Sequence, residues 1–357
     1  MSLSLAVMGG IRKMLPGLFL CAVVTLAGWG LQVVELRLFG KAWLESLVLA
    51  ILVGTAVRTV WDMDRRWYPG ILFSAKTLLE IAVVLLGASL SVSAIAAVGP
   101  PLLAGIVIVV LVAVAISYRV GRAFGLPRRL AMLVACGNSI CGNSAIAAAA
   151  PVIGASSDDI AASVAFTAVF GVAVVVLLPL LASGLGLDKL QYGILAGLTV
   201  YAVPQVLAAT APLGALSVQI GTLVKLVRVL MLGPVMLALS VGTSKWREET
   251  DEPPPHVTAG DRPAPGRVAF HHLVPWFIVG FLALAAMRST GLIPDSLLGP
   301  IAWVGNLLTI IAMAALGLGV EVRAVAQSGP RVIAAVVVSL LFLGMVSLAL
   351  IRLLAIA

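Results

Sequence analysis

The chain has 357 residues, of which 61% are hydrophobic and 11% charged, and a formal net charge of +8. A soluble domain carries roughly 25% charged residues, so composition excludes an ordinary soluble protein. It points instead to an all-α, polytopic membrane protein, in which the distribution of Lys and Arg reports orientation rather than nucleic-acid binding.

Stretches able to cross a hydrocarbon core of ~30 Å lie near 15–34, 44–60, 70–91, 100–121, 130–154, 159–183, 190–213, 215–243, 271–288, 297–320 and 331–354. We therefore expect about eleven transmembrane helices in a single integral membrane domain, 1–357. Arg12 and Lys13 precede the first stretch, and no small-x-small cleavage site follows it. It is read as a retained span rather than a removed leader. Of the 23 basic residues, Lys225 and Arg228 fall deepest inside a span. With the N-terminus in the cytoplasm, 17 of the rest lie on or near the inner side, and only Arg37, Lys41, Arg288 and Arg352 lie outside. The positive-inside rule thus predicts a cytoplasmic N-terminus and a periplasmic C-terminus.

The fifth stretch is unlike the others. Between Ala135 and Ala145 it carries Gly137, Asn138, Ser139, Gly142, Asn143 and Ser144. Glycine costs about 1 kcal/mol of helix propensity relative to alanine, and Asn and Ser offer the backbone competing hydrogen bonds. The doubled Gly-Asn-Ser predicts a helix that breaks inside the membrane, tolerated only where the freed backbone groups are buried or line a wet cavity. Small residues that only permit close packing are the alternative, but packing does not account for the doubled Asn-Ser. Cys136 and Cys141 are five apart, which fits neither a redox pair nor a zinc knuckle. Asp158 and Asp159 read as N-terminal caps of the sixth stretch.

A shorter echo appears in the seventh stretch. Val206 to Pro212 resembles Ala145 to Pro151, and Tyr201, Pro204 and Gln205 stand before it. Proline removes a helix hydrogen bond, so a second break, or a plain proline kink, is expected there. A further likeness links 78–100 to 308–330. Leu86-Gly87 matches Leu316-Gly317, and a Gly-Pro begins 12 positions after each Gly, at Gly99 and Gly329. These segments fall on spans three and ten, which would run in opposite directions, as inverted repeats require.

Charges inside a bilayer cost at least ~2.5 kcal/mol each and are functional suspects. Lys225 and Arg228 are three apart and share a helix face. Glu80 is the acidic residue placed well inside a span, and it could pair with one of them or with Lys76. Either a paired Glu80–Lys225–Arg228 cluster or an anion site with Glu80 as partial counter-charge follows. Glu321 is expected at the inner end of span ten. Residues 245–269, with three consecutive prolines and mixed charge, read as a flexible cytoplasmic linker. His256 within it, and His271 and His272 after it, read as solvent or interfacial residues. Enzyme signatures, nucleotide loops and metal-ligand spacings are lacking, so no catalysis, cofactor or metal is expected, and transport would run on an ion or solute gradient.

The run from Cys136 to Ile146 resembles the signature of the YeiH-type bacterial inner-membrane proteins, often labelled sulfate exporters. So do Pro204-Gln205-Val206, Lys225 with Arg228-Val229, Pro275-Trp276-Phe277, and Ala312 to Gly317. That family is grouped with the cation/proton antiporter and bile-acid transporter superfamily. The resemblance implies two inverted repeats, a core domain with crossing broken helices, and a panel domain. Some members carry a His-Glu pair where this chain has Tyr201-Ala202, which argues against proton coupling at that position. The expectation is a secondary transporter exporting a small anion such as sulfate or an organosulfonate. Asn138, Ser139, Gly142, Asn143, Ser144, Tyr201 and Gln205 would contact it, Lys225 and Arg228 would supply positive potential, and Glu80 would be the coupling candidate. H+ or Na+ as coupling ion and a homodimer are compatible with this picture. A cation/proton antiporter titrating at Glu80, or a non-transporting membrane protein, is the competing expectation.

Overall fold

The computed structural model describes residues 2–39, 44–89, 99–242, 276–320, 322 and 330–354. The linker 245–269, His256, His271, His272 and Glu321 lie outside the described residues. So do the ends of both look-alike segments, beyond Ser89 and beyond Val320. The fold is all-α, with no strand among the described residues. Among those residues, seven helices are long and apolar enough to cross a membrane, and each stretch expected from the sequence contains helix.

The first group of helices is α1 (Ser2–Phe39), α2 (Ser46–Val60), α3 (Tyr68–Leu86), α12 (Trp276–Ser289) and α13 (Asp295–Leu318). Helix α3 carries one π turn at Ser74–Leu78 and ends in a 3-10 turn, Gly87–Ser89. Helix α2 packs on α13 at van der Waals backbone distance. A Cβ on Gly54 would sit 2.6 Å from the Ala314 carbonyl oxygen, and one on Gly317 would sit 2.3 Å from that of Ile51. Small residues at such crossings let backbones approach where no hydrophobic drive exists between helices in lipid.

The second group is α4 (Pro100–Ala123), α5 (Arg128–Ser139), α6 (Asn143–Ile153), α7 (Ser157–Leu185), α8 (Lys189–Thr199), α9 (Val203–Thr210), α10 (Ala215–Leu230), α11 (Leu232–Gly242) and α14 (Pro330–Leu353). Caps mark two starts. The Ser156 hydroxyl accepts the Asp159 N–H at 3.2 Å, and the Asp188 carboxylate accepts the Gln191 N–H at 2.7 Å. The cap of α7 is therefore Ser156, with Asp158 and Asp159 in the first turn where they complement the helix dipole. This corrects the expectation that the aspartates themselves cap.

Within each group the helices pack extensively. Between the groups, contact runs chiefly through α9, which touches α2, α3 and α13, and through α7 against α2. Helix α9 is thus both a half-helix of the second group and its main bearing surface on the first.

Candidate functional site

The fifth stretch does break, but later than its first Gly-Asn-Ser. Gly137, Asn138 and Ser139 remain helical and buried at the end of α5. The gap is 140–142, and α6 begins at Asn143. Gly142 takes φ +66°, a region closed to most side chains, and its N–H returns to the Gly137 carbonyl at 3.0 Å. Only the second glycine is needed for the turn. The seventh stretch breaks at 200–202, between α8 and α9. Pro204 then lies in the first turn of α9, where its missing N–H costs nothing.

The two gaps meet. A Cβ on Gly142 would lie 3.3 Å from the Tyr201 Cβ, and the Tyr201 hydroxyl donates to Asn138 Oδ1 at 2.8 Å. Both partners are buried. Four helix ends converge here: the carbonyl ends of α5 and α8, and the N–H ends of α6 and α9.

Lys225 and Arg228, both fully buried, sit on the carbonyl ends. The Lys225 ammonium donates to the Ile140 and Val200 carbonyls at 2.6 and 2.9 Å. The Arg228 guanidinium donates through Nε to Ser139 O at 2.7 Å, through Nη1 to Gly197 and Val200 O at 3.2 Å each, and through Nη2 to Asn138 O. A helix leaves its last carbonyls without partners, and these two side chains bridge both C-termini at once. Their spacing on one face of α10 suits that task. Neither makes an ion pair with a carboxylate among the described residues.

Glu80 does not join them, which corrects the expected counter-charge. It lies on α3, in the first group, and accepts the Trp276 indole N–H at 2.8 Å. Helix α3 packs on α12 and α13, whereas α10 packs on α8 and α9, so the two sites lie on helices of different groups.

The N–H ends are open by comparison. Neither α6 nor α9 has a side-chain hydrogen bond from its capping residue. Gln205 Oε1 accepts the Ala202 N–H at 3.1 Å. Asn143 and Ser144 are exposed, whereas Asn138 and Ser139 are buried. Asn138 Nδ2, Ser139 Oγ and Ser163 Oγ are buried without a hydrogen-bond partner among the described residues. Such groups ordinarily find one, because an unmet buried donor costs about 1–3 kcal/mol.

Helix α7, for which only spanning and an N-terminal cap were expected, lies along both N–H ends. Its Thr167 hydroxyl donates to Asn143 Oδ1. Gly171, one turn on, leaves room for Gln205, whose amide nitrogen would be 2.5 Å from an added Cβ. Ser163, one turn back, completes a stripe of small residues at i, i+4, i+8. That spacing is visible in the sequence once α7 is known to face the gaps. Cys136 and Cys141 are buried free thiols, and no group of three or more metal-binding side chains occurs among the described residues.

Two half-helix pairs meeting inside a bundle of apolar helices define a polytopic membrane protein with an internal polar crossing. The chain belongs to the UPF0324 membrane protein family: the family model described as Conserved hypothetical protein 698 matches residues 16–336. It is 56% identical over 347 residues to a UPF0324 membrane protein of Brucella melitensis, covering 97% of this chain and 93% of that one. A Bradyrhizobium diazoefficiens member is 53% identical over 342 residues, covering 96% and 94%. A Bacillus cereus member is 34% identical over 287 residues, covering 80% of each. No solved structure matches the chain.

Proposed function

We propose that the protein is a secondary transporter of the bacterial inner membrane that exports a small anion such as sulfate or an organosulfonate. The observation that carries this reading is the charge at the crossing. Each helix C-terminus amounts to about −0.5 elementary charge. Two such ends offset roughly half of the two charges on Lys225 and Arg228. About one positive charge is left over, beside the N–H ends of α6 and α9, which add to it.

A positive field at helix N–H ends, of which that of α6 has no side-chain cap, inside an apolar bundle, suits a negative solute. The solute would approach the exposed start of α6 at Asn143 and Ser144, with Thr167 and Gln205 alongside. Asn138 Nδ2 and Ser163 Oγ offer donors behind them. Lys225 and Arg228 act here through potential and through holding the carbonyl ends, not as direct ligands. Alternating access would come from movement of the second group of helices against the first across the α9 bearing, with the N-terminus cytoplasmic and the C-terminus periplasmic.

Reconstituted vesicles loaded with labelled sulfate or a labelled short-chain sulfonate test the idea. Exchange that depends on the protein and is lost in Lys225→Met supports it. A folded protein that exchanges neither anion, yet is stabilised by Na+ or by pH alone, overturns it.

A further inference from the structure

A cavity with none of the crossing's residues in its wall lies in the seam between the two groups of helices. It holds about 340 Å³, at the lower end of the range of sites for small organic ligands. Most of its wall is apolar: Leu85 from α3, Leu207 from α9, Ala211 just beyond its end, Val218 from α10, and Ile301 from α13. Four polar side chains line it, of which Thr309 spends its hydroxyl on the Gly305 carbonyl at 2.7 Å. Arg288 ends α12, Asn306 stands exposed on α13, and Glu45 immediately precedes α2.

The charges have an order. Arg288 pairs with Asp295 at 3.0 Å, but the Asp295 side chain is 89% exposed. Exposed ion pairs are worth little, so Asp295 holds Arg288 only loosely. Glu45 is half-buried, and its carboxylate makes no hydrogen bond or ion pair with a described residue. Of the other charged groups nearby, Glu35 on α1 is engaged with the Leu44 N–H at 3.1 Å. The walls from α3, α9, α10 and α13 bring no titratable side chain into the cavity. With Glu45 ionised, its carboxylate inside the cavity and that of Asp295 on the outer side of Arg288 outweigh the one guanidinium, and an anion is repelled. With Glu45 protonated, Arg288 and the Asn306 amide face an apolar chamber with the local charge balanced.

We propose that this seam cavity binds an organic anion, its head group on Arg288 and Asn306 and its body against the leucine-rich wall, together with a proton on Glu45. This rests on the transport reading above and narrows its substrate class to anions with an apolar body. The thermodynamic consequence is reciprocal: protonation tightens the anion, and the anion raises proton affinity. The proton site so assigned is in the first group of helices, where α9 bears on it, and not at Glu80.

The test uses the full chain in nanodiscs, with butanesulfonate, butanol and sulfate as probes. Butanesulfonate should bind at least about ten-fold more tightly near pH 5 than near pH 8. Glu45→Gln should bind near pH 8 as wild type does near pH 5, without further pH dependence. Arg288→Gln should weaken binding about ten-fold or more at either pH. Ala302, exposed on the cavity wall, gives an independent readout. In Ala302→Cys, butanesulfonate should slow thiol labelling while butanol and sulfate do not. The native cysteines, at 0 to 8% exposure, stay silent. Unprotected labelling, or pH-independent binding retained in Arg288→Gln, overturns the proposal. If sulfate exchange still depends on Lys225 in that event, the crossing reading stands and only the seam site falls. If exchange of every anion is absent while butanesulfonate still protects the thiol introduced by Ala302→Cys, the transport reading falls alone.

Discussion

The four helix ends at the crossing fall into two unlike pairs. The carbonyl ends of α5 and α8 are buried and tied together by Lys225 and Arg228. The capping residues of α6 and α9 give no side-chain hydrogen bond, Gln205 takes only the Ala202 N–H, and the start of α6 is exposed at Asn143 and Ser144. The difference teaches where the chemistry is free to occur. A buried cation that has found carbonyl partners is a structural clamp first, and its field reaches a solute only as what the carbonyl dipoles leave over. The ligating groups are to be sought at the other pair of ends.

This asymmetry can be broken at its strong side. Arg228→Ala strips hydrogen bonds from both C-termini and should cost about 3–5 kcal/mol, since an uncompensated buried polar site remains. The unfolding midpoint of the purified protein checks this, and a midpoint unchanged from wild type would remove the clamp from the account. Arg228→Lys keeps the charge but cannot span the same carbonyls. It should recover less than half of the loss, about 1–2 kcal/mol.

Lys225→Met separates potential from capping. It removes one charge at similar volume, so anion exchange should fall at least about ten-fold, equivalent to ~1.4 kcal/mol. The fold should suffer less than in Arg228→Ala, because Lys225 serves two carbonyls and Arg228 four. Equal damage to exchange and to stability would show that the two cations act only as clamps.

The open side predicts gentler effects. Thr167→Val loses the hydrogen bond to Asn143 and should cost about 1 kcal/mol. That cost should appear as a KM several-fold higher rather than as lost protein. Glu80→Gln should be the mildest, leaving exchange and its pH dependence within about two-fold, because an exposed hydrogen bond to Trp276 contributes little. Abolition of proton-linked flux in that variant would restore the antiporter reading.

Much of this architecture was legible in the sequence. The apolar stretches, the interruption near 136–144 and the second one near 201–205 all follow from composition and from the conformational habits of Gly, Asn, Ser and Pro. The buried pair on α10 was likewise marked by its cost in a bilayer. What misled was pairing by chemistry alone. Glu80 and Lys225 are opposite in charge and both within spans, yet their helices belong to different groups. Gly137-Asn138-Ser139 stayed helical because α5 is held to its end by packing and by Arg228, which outweighs a weak propensity.

By itself the sequence determined that the chain is helical, resides in a membrane and breaks twice where hydrogen-bonding side chains compete with the backbone. These are properties of a few consecutive residues and their solvent. Only the tertiary structure decided that the gaps touch, that both cations spend themselves on carbonyl ends, and that α7 supplies Ser163, Thr167 and Gly171 to the opposite ends. Those depend on which helices are neighbours. Apolar helices of similar length and composition carry little in their sequences to say which neighbour each will choose.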